Sequence, residues 1–261
     1  MRQTLESILA REVAGFSSLQ ACDQLTAGAS QETFRIQVHT NDGDLILALR
    51  RSPAIAAGES VPGQISLATE AVLLQLAEKA GIPVPGVAYV LQPGDDLGEG
   101  YLMEWLEGET LGQRIVRSEE LAEVRLLLAR QCGEALARIH AIEVDSALTQ
   151  LLPTVSPREL VLETWENHKQ LELAEPMIDF TARWLLQNLP AESRLTLVHG
   201  DFRNGNLMID QGGIRALFDW EVAQIADPVR DLGWLCVNSW RFGKAELPVG
   251  GFGTVEDLLE G

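Results

Sequence analysis

The run His199-Gly200-Asp201, followed by Asn206 and then by Asp219 at the end of Leu217-Phe218-Asp219, restricts the fold more than any other feature of the chain. Five specified residues at fixed spacing arise by chance in a chain this long about once in ten thousand. Their surroundings add to the signal. Leu195-Thr196-Leu197-Val198 reads as a short apolar strand entering the loop, and Leu207-Met208-Ile209-Asp210 as one leaving it. Gln211-Gly212-Gly213 reads as a turn, and residues 214–218 as a third strand. Both aspartates therefore sit where strands give way to loops. Solvated turn carboxylates alone would not predict the asparagine.

These residue types suit phosphoryl transfer. One aspartate can orient an acceptor hydroxyl, while an asparagine and a second aspartate can hold the metal ions that neutralise phosphate charge. Protein kinases use the same parts in the same order, with His-x-Asp, an Asn five residues on and a strand-end Asp.

The first half supplies a matching layout. Residues 2–14 read as an amphipathic helix. A small-residue turn, Gly28-Ala29-Ser30, precedes the alternating strand 34–38, and Asn41-Asp42-Gly43-Asp44 is a hairpin turn into strand 45–50. Small side chains at the first turn let backbone N–H groups and the Ser30 hydroxyl approach phosphate. Arg50 ends the third strand and can hold phosphate oxygens in a bidentate way. A helix over 66–80, stopped by Gly81 and Pro83, carries Glu70 near its start, placed to pair with Arg50. Residues 84–91 and 101–106 read as further strands. The second exits through Glu107-Gly108 as a hinge, where backbone near Glu104 and Leu106 can hold an adenine ring.

The second half is mostly helical. A long helix is expected over 118–140, with Leu121, Val124, Leu127, Leu128, Cys132, Leu136 and Ile139 as its apolar stripe and His140 as a packing residue at its end. Two helical segments over 160–189 part near Glu175-Pro176. Asp231 opens a further helix and is placed to cap it or to brace the catalytic loop.

Composition sets outer limits. A net charge of −18 argues against nucleic acid and anionic membranes as partners. No apolar run approaches a membrane span, and no signal-peptide pattern opens the chain. Cys22, Cys132 and Cys236 lie too far apart for a metal or disulfide framework, which suits a reducing cytoplasm.

Taken together, the residues resemble the aminoglycoside phosphotransferase and choline kinase superfamily, which shares the protein-kinase fold. Val198–Leu207 resembles its catalytic loop, and Leu217–Glu221 with Asp227–Leu232 its metal-binding segment. Arg50-Arg51-Ser52-Pro53, Ile82-Pro83-Val84-Pro85 and Met103–Gly108 are similar to the subgroup found fused to some acyl-CoA dehydrogenases, in which an arginine takes the phosphate-contacting position. The resemblance implies an α+β fold of two lobes. Residues 1–105 would form an antiparallel β N-lobe with one main helix, which binds nucleotide. Residues 106–261 would form a mainly helical C-lobe carrying a catalytic β-hairpin, ending short of the acceptor-side helices of related proteins.

It implies an ATP-dependent, Mg²⁺-dependent kinase of a small-molecule hydroxyl. Asp201 would be catalytic, and Asn206 and Asp219 metal ligands. Ser30, Arg50, Glu70, Glu104 and Leu106 would line the nucleotide site. An aminoglycoside kinase and a nucleotide-binding pseudokinase without turnover remain alternatives. The acceptor, ATP against GTP, and the oligomeric state are left open.

Overall fold

A computed structural model describes residues 1–27, 31–52, 63–171 and 175–261. Helix α1 (Arg2–Glu12) leads into β1 (Phe16–Ala27), β2 (Glu32–Thr40) and β3 (Gly43–Ser52). With β4 (Val87–Val90) and β5 (Glu99–Glu104) they form an antiparallel sheet of order β1-β2-β3-β5-β4. Thr40 pairs with Gly43, so Asn41 and Asp42 form a two-residue hairpin loop.

Alternation along the strands divides the core in two. Phe34, Ile36, Val38, Leu47, Leu49 and Leu102 face α1, where Leu5, Ile8 and Leu9 are buried. Ala48, Tyr101 and Met103 point to the opposite face, onto α2 (Leu67–Lys79). Ser66 caps α2 by accepting from the Thr69 N–H, and Glu70 lies in the first turn.

The second core cluster runs without a break from α2 and β5 into the helical half. There α3 (Gly112–Arg117) precedes α4 (Ala122–Ala141), whose Leu128, Cys132, Leu136 and Ile139 are buried. Two boundaries differ from expectation. A 3₁₀ turn over Glu119–Leu121 delays the start of α4, and Leu127 is exposed beside the buried stripe because its neighbour Leu128 takes the core position. Strand β4 begins only at Val87, since Pro83 and Pro85 cannot donate to a ladder.

After α5 (Ser146–Leu151) come α6 (Pro157–Gln170) and α7 (Pro176–Asn188), which pack on each other. No residue of α6 is buried, and of α7 only Ala182 is. The catalytic segment is built from β6 (Thr196–Val198), β7 (Leu207–Asp210), β8 (Gly213–Leu217) and β9 (Gln224–Ala226). Strands β7 and β8 form the expected hairpin, whereas β6 pairs with β9, which the sequence pattern does not announce. Helices α8 (Val229–Leu235) and α9 (Val255–Glu260) complete the chain, the latter against α4.

Backbone links tie the segments flanking the sheet and α2 to this segment. Glu109 and Ile209 exchange N–H···O bonds of 2.8 and 2.9 Å, Leu217 N–H donates to Pro83 C=O at 2.8 Å, and Ile65 N–H donates to Glu221 C=O at 2.8 Å. Among the described residues no helix is long and apolar enough to cross a membrane.

Candidate active site

The cleft between the sheet and the catalytic hairpin has a volume of about 550 Å³ and is lined by Arg50, Asn206 and Asp219, with Met103, Glu104, Trp105, Leu106, Met208 and Phe218 around them. Arg50, Glu104, Leu106, Asn206 and Asp219 line this cleft, Glu70 reaches it through Arg50, and Asp201 is hydrogen-bonded to Asn206 at its edge. Ser30 and the Gly28 turn lie outside the described residues. A second cavity of about 420 Å³, between α6 and α7, is lined by aliphatic side chains, Thr164, Thr181 and Trp165, with no titratable group among the described residues.

Arg50 is the hub of the charge network. Its Nε lies 3.3 Å from Glu70 Oε2, and its Nη2 lies 2.7 Å from Asp219 Oδ1 and 3.6 Å from Glu221 Oε2. Burial alone would lower its pKa, but the carboxylates of Glu70 and Asp219 outweigh that and hold the guanidinium firmly protonated. Glu70 is fixed by accepting from the Trp220 N–H at 3.2 Å. Its own pKa is pushed up by burial, against the pull of Arg50. Burial, with the Asp219 charge, likewise raises Glu221. Three carboxylates thus face one cation, and the excess negative charge favours a further cation. Asp219 itself sits at φ 65°, the left-handed region, which turns its side chain out of the β8 line toward Arg50.

The His199-Gly200-Asp201 loop is braced from below. Asp231, fully buried, accepts from the N–H of His199 and of Gly200, each at 2.9 Å, and from His140 Nε2 at 3.0 Å. It lies inside α8 and braces the loop; it does not cap the helix. His199 Nε2 donates to Phe218 C=O at 3.0 Å, and its Nδ1 accepts from the Asp201 N–H at 3.2 Å. That pairing requires the neutral ring, in keeping with a pKa lowered by burial. Gly200 sits at φ +83°, and a Cβ there would lie 2.4 Å from Val222 O. No other residue fits without a backbone shift.

Asp201 presents its carboxylate to three donors. Arg203 Nε reaches Oδ1 and Oδ2 at 3.0 and 3.1 Å, Asn206 Nδ2 reaches Oδ2 at 2.7 Å, and Trp234 Nε1 reaches Oδ1 at 2.5 Å. Asn206 Nδ2 also donates to Asp201 C=O at 2.9 Å, leaving its amide oxygen as the atom available to a cation. Arg203, Trp234 and Glu221 are absent from the sequence-derived set. Arg203 lies two residues from Asp201 and was within reach of a local reading. Trp234 meets it only through the β9–α8 return, which no spacing rule reveals.

Among the described residues no group of three or more His, Cys, Asp or Glu forms a self-sufficient metal site. Mg²⁺ fits the donor set nonetheless. It usually takes one or two protein oxygens and completes its shell with phosphate and water, and Asp219 with Asn206 supplies hard oxygen donors beside the excess negative charge.

A β-sheet with one main helix, a helical half, and a hairpin presenting these residues between them define a protein-kinase-like phosphotransferase fold. The chain belongs to the phosphotransferase enzyme family (APH), whose model matches residues 22–256. It is 28% identical over 224 residues to mouse acyl-CoA dehydrogenase family member 10, a match covering 82% of this chain and 20% of that protein. The chain thus spans about a fifth of that relative's length. Among solved structures it resembles a Ralstonia eutropha protein classed with the aminoglycoside phosphotransferases, at TM-score 0.66 and 23% identity, over 99% of this chain and 76% of the other. It also resembles the streptomycin–ATP–APH(2")-IIa ternary complex, at TM-score 0.57 and 19% identity, over 90% and 75% of the two chains.

Proposed function

We propose that this chain transfers the γ-phosphoryl group of ATP to a hydroxyl of a small molecule. The carrying observation is the convergence of Asp201, Asn206, Asp219, Arg50 and Glu70 around one cleft with apolar walls. In this reading residues 1–105 hold the nucleotide, with adenine near Glu104 and Leu106, and residues 106–261 supply the reacting groups.

Asp201 orients the acceptor hydroxyl and takes its proton as the oxygen attacks the γ-phosphorus. Arg50, held by Glu70, offsets charge on the phosphate oxygens. Asn206 and Asp219 would hold Mg²⁺, which would supply neutralisation of phosphate charge. Catalysis is then positioning and electrostatics. His199 takes no proton in this scheme, because both ring nitrogens are committed to the loop.

For the acceptor, the relative's name joins an acyl-CoA dehydrogenase to the matched segment, which favours a hydroxyacyl thioester.

The test is Mg²⁺-dependent ADP release from ATP across hydroxyacyl-CoA thioesters, aminoglycosides, choline and sugars, with D201N as control. We expect a thioester hit that falls by about a thousandfold or more in D201N while calorimetry shows ATP binding retained. Asp219→Ala should instead weaken Mg²⁺-dependent ATP binding. Equal turnover in D201N overturns the role of Asp201. ATP binding without release on any acceptor points to a pseudokinase.

A further inference from the structure

The Asp201 carboxylate is already fully engaged. A carboxylate offers about four lone-pair positions; the single Nε–H of Arg203 is shared between both oxygens, Asn206 donates to Oδ2 and Trp234 to Oδ1, so each oxygen carries two contacts. An acceptor hydroxyl gains an unshared lone pair of Asp201 when one of these donors withdraws.

Two of the three are pinned. Asn206 is buried and its amide also holds the Asp201 carbonyl. Arg203 lies with its guanidinium 4.7 Å from the Trp240 ring centroid and against the Gly205 backbone, where a Cβ would come within 1.9 Å of Nη1. Trp234 is held least. It is 38% exposed and stands on the last turn of the short α8. Its ring also meets Trp240 edge-on, with centroids 5.6 Å apart.

We propose that Trp234 is an acceptor gate: its indole N–H holds the Asp201 lone pair that the acceptor hydroxyl needs, and the arriving acceptor displaces it. The gate rests on the phosphotransferase reading and adds a purpose to it. While the N–H is in place, water cannot use Asp201. Without it, a water oxygen attacks the γ-phosphorus and its proton passes to Asp201. The bond from the γ-phosphorus to the bridging oxygen breaks, and ADP leaves with the electron pair. Trp234 thereby limits loss of ATP to water, and it acts as a positioning residue through Asp201.

Trp234→Phe keeps an aromatic ring beside Trp240 and removes the donor together with one ring of the indole. We expect acceptor-free, Mg²⁺-dependent ADP release to rise about tenfold, the scale of one hydrogen bond to a charged group. The rise should vanish in the W234F/D201N double variant. Damage to the fold would slow release, so a gain separates the gate from a structural role. In parallel, the Trp234 indole ¹⁵N–H resonance, assigned by its loss in W234F, should shift in D201A without nucleotide.

Release in W234F no faster than wild type, with MgATP bound equally by both, overturns the gate and leaves the phosphotransferase reading standing. An indole resonance that stays put in D201A overturns it as well. Failure of both proteins to bind MgATP overturns that reading and the gate together.

Discussion

Around Arg50, charged side chains from distant parts of the chain converge: Arg50 on β3, Glu70 on α2, and Asp219 and Glu221 after β8, all at least partly buried. Across the molecule, the α6–α7 hairpin shows the opposite pattern. It turns Met177, Phe180 and Trp184 to solvent, and the only buried residue of its two helices is Ala182. The first region is over-determined, since each charge is held by another and by backbone. The second is held by the apolar contact between its helices, by Trp165 Nε1 donating to Asp179 Oδ1 at 2.6 Å, and by the cap of Ser156 with Glu159 at the start of α6. Phosphoryl transfer tolerates little error in the position of charge. A helical hairpin with one buried residue can change its outer face at little cost in stability.

The sharpest way to break this contrast is at Asp231. Asp231→Ala leaves the N–H groups of His199 and Gly200 and the His140 ring without their buried acceptor. We expect a loss of about 3 kcal/mol or more in urea denaturation. A loss below about 1 kcal/mol would mean that the catalytic loop does not depend on this brace.

Arg50→Lys tests geometry at constant charge. An ammonium is a point charge and cannot face Glu70 and Asp219 from two edges, as Nε and Nη2 do. The expected result is a rise of about tenfold in the KM for ATP, roughly 1.4 kcal/mol, with the fold unchanged by circular dichroism. An unchanged KM would show that the pairing does not position phosphate.

How legible was all this in the sequence? The His199-to-Asp219 pattern was readable because it is local: a strand, a loop and a hairpin fix its spacing. Arg50 and Glu70 were readable because strand end and helix start are themselves sequence signals. The pairing of β6 with β9 was not, because two three-residue strands carry no period to read and are joined by the whole of the catalytic hairpin. Trp234 was invisible for the same reason, since it reaches Asp201 through a return of the chain. Leu127 was misread because a helical stripe leaves a choice at its margin, and packing against the core selected Leu128. The outer face of α6–α7 follows no rule tied to the reaction, so its sequence says little about what it meets.

A smaller test uses pH. Burial lowers the pKa of His199 below 6.5, so the folded chain resists protonation that the unfolded chain accepts. More protons on the unfolded state mean that this stability is complete above about pH 6.5 and falls as the pH drops toward the folded pKa. The slope from one histidine is at most about 1.4 kcal/mol per pH unit. Glu70 and Glu221, whose pKa values are raised, act in the opposite sense and from lower pH, because their unfolded values lie near 4.5. Urea midpoints between pH 7.5 and 5.5 should therefore fall in the wild type and fall less in His199→Gln. Equal slopes would show that His199 is not held neutral.

The smallest expected effect lies on α7. Phe180 is 62% exposed, so Phe180→Ser removes little buried area, and stability should change by no more than about 0.5 kcal/mol. ATP binding should be untouched, because the hairpin takes no part in the charge network around Arg50. If acceptor KM rises in F180S while the KM for ATP stays fixed, the exposed aromatic face belongs to acceptor recognition, and the contrast becomes one between a fixed chemical centre and a variable specificity surface. If both constants fall in step with stability, α6 and α7 are part of the scaffold after all, and the two regions differ in exposure alone.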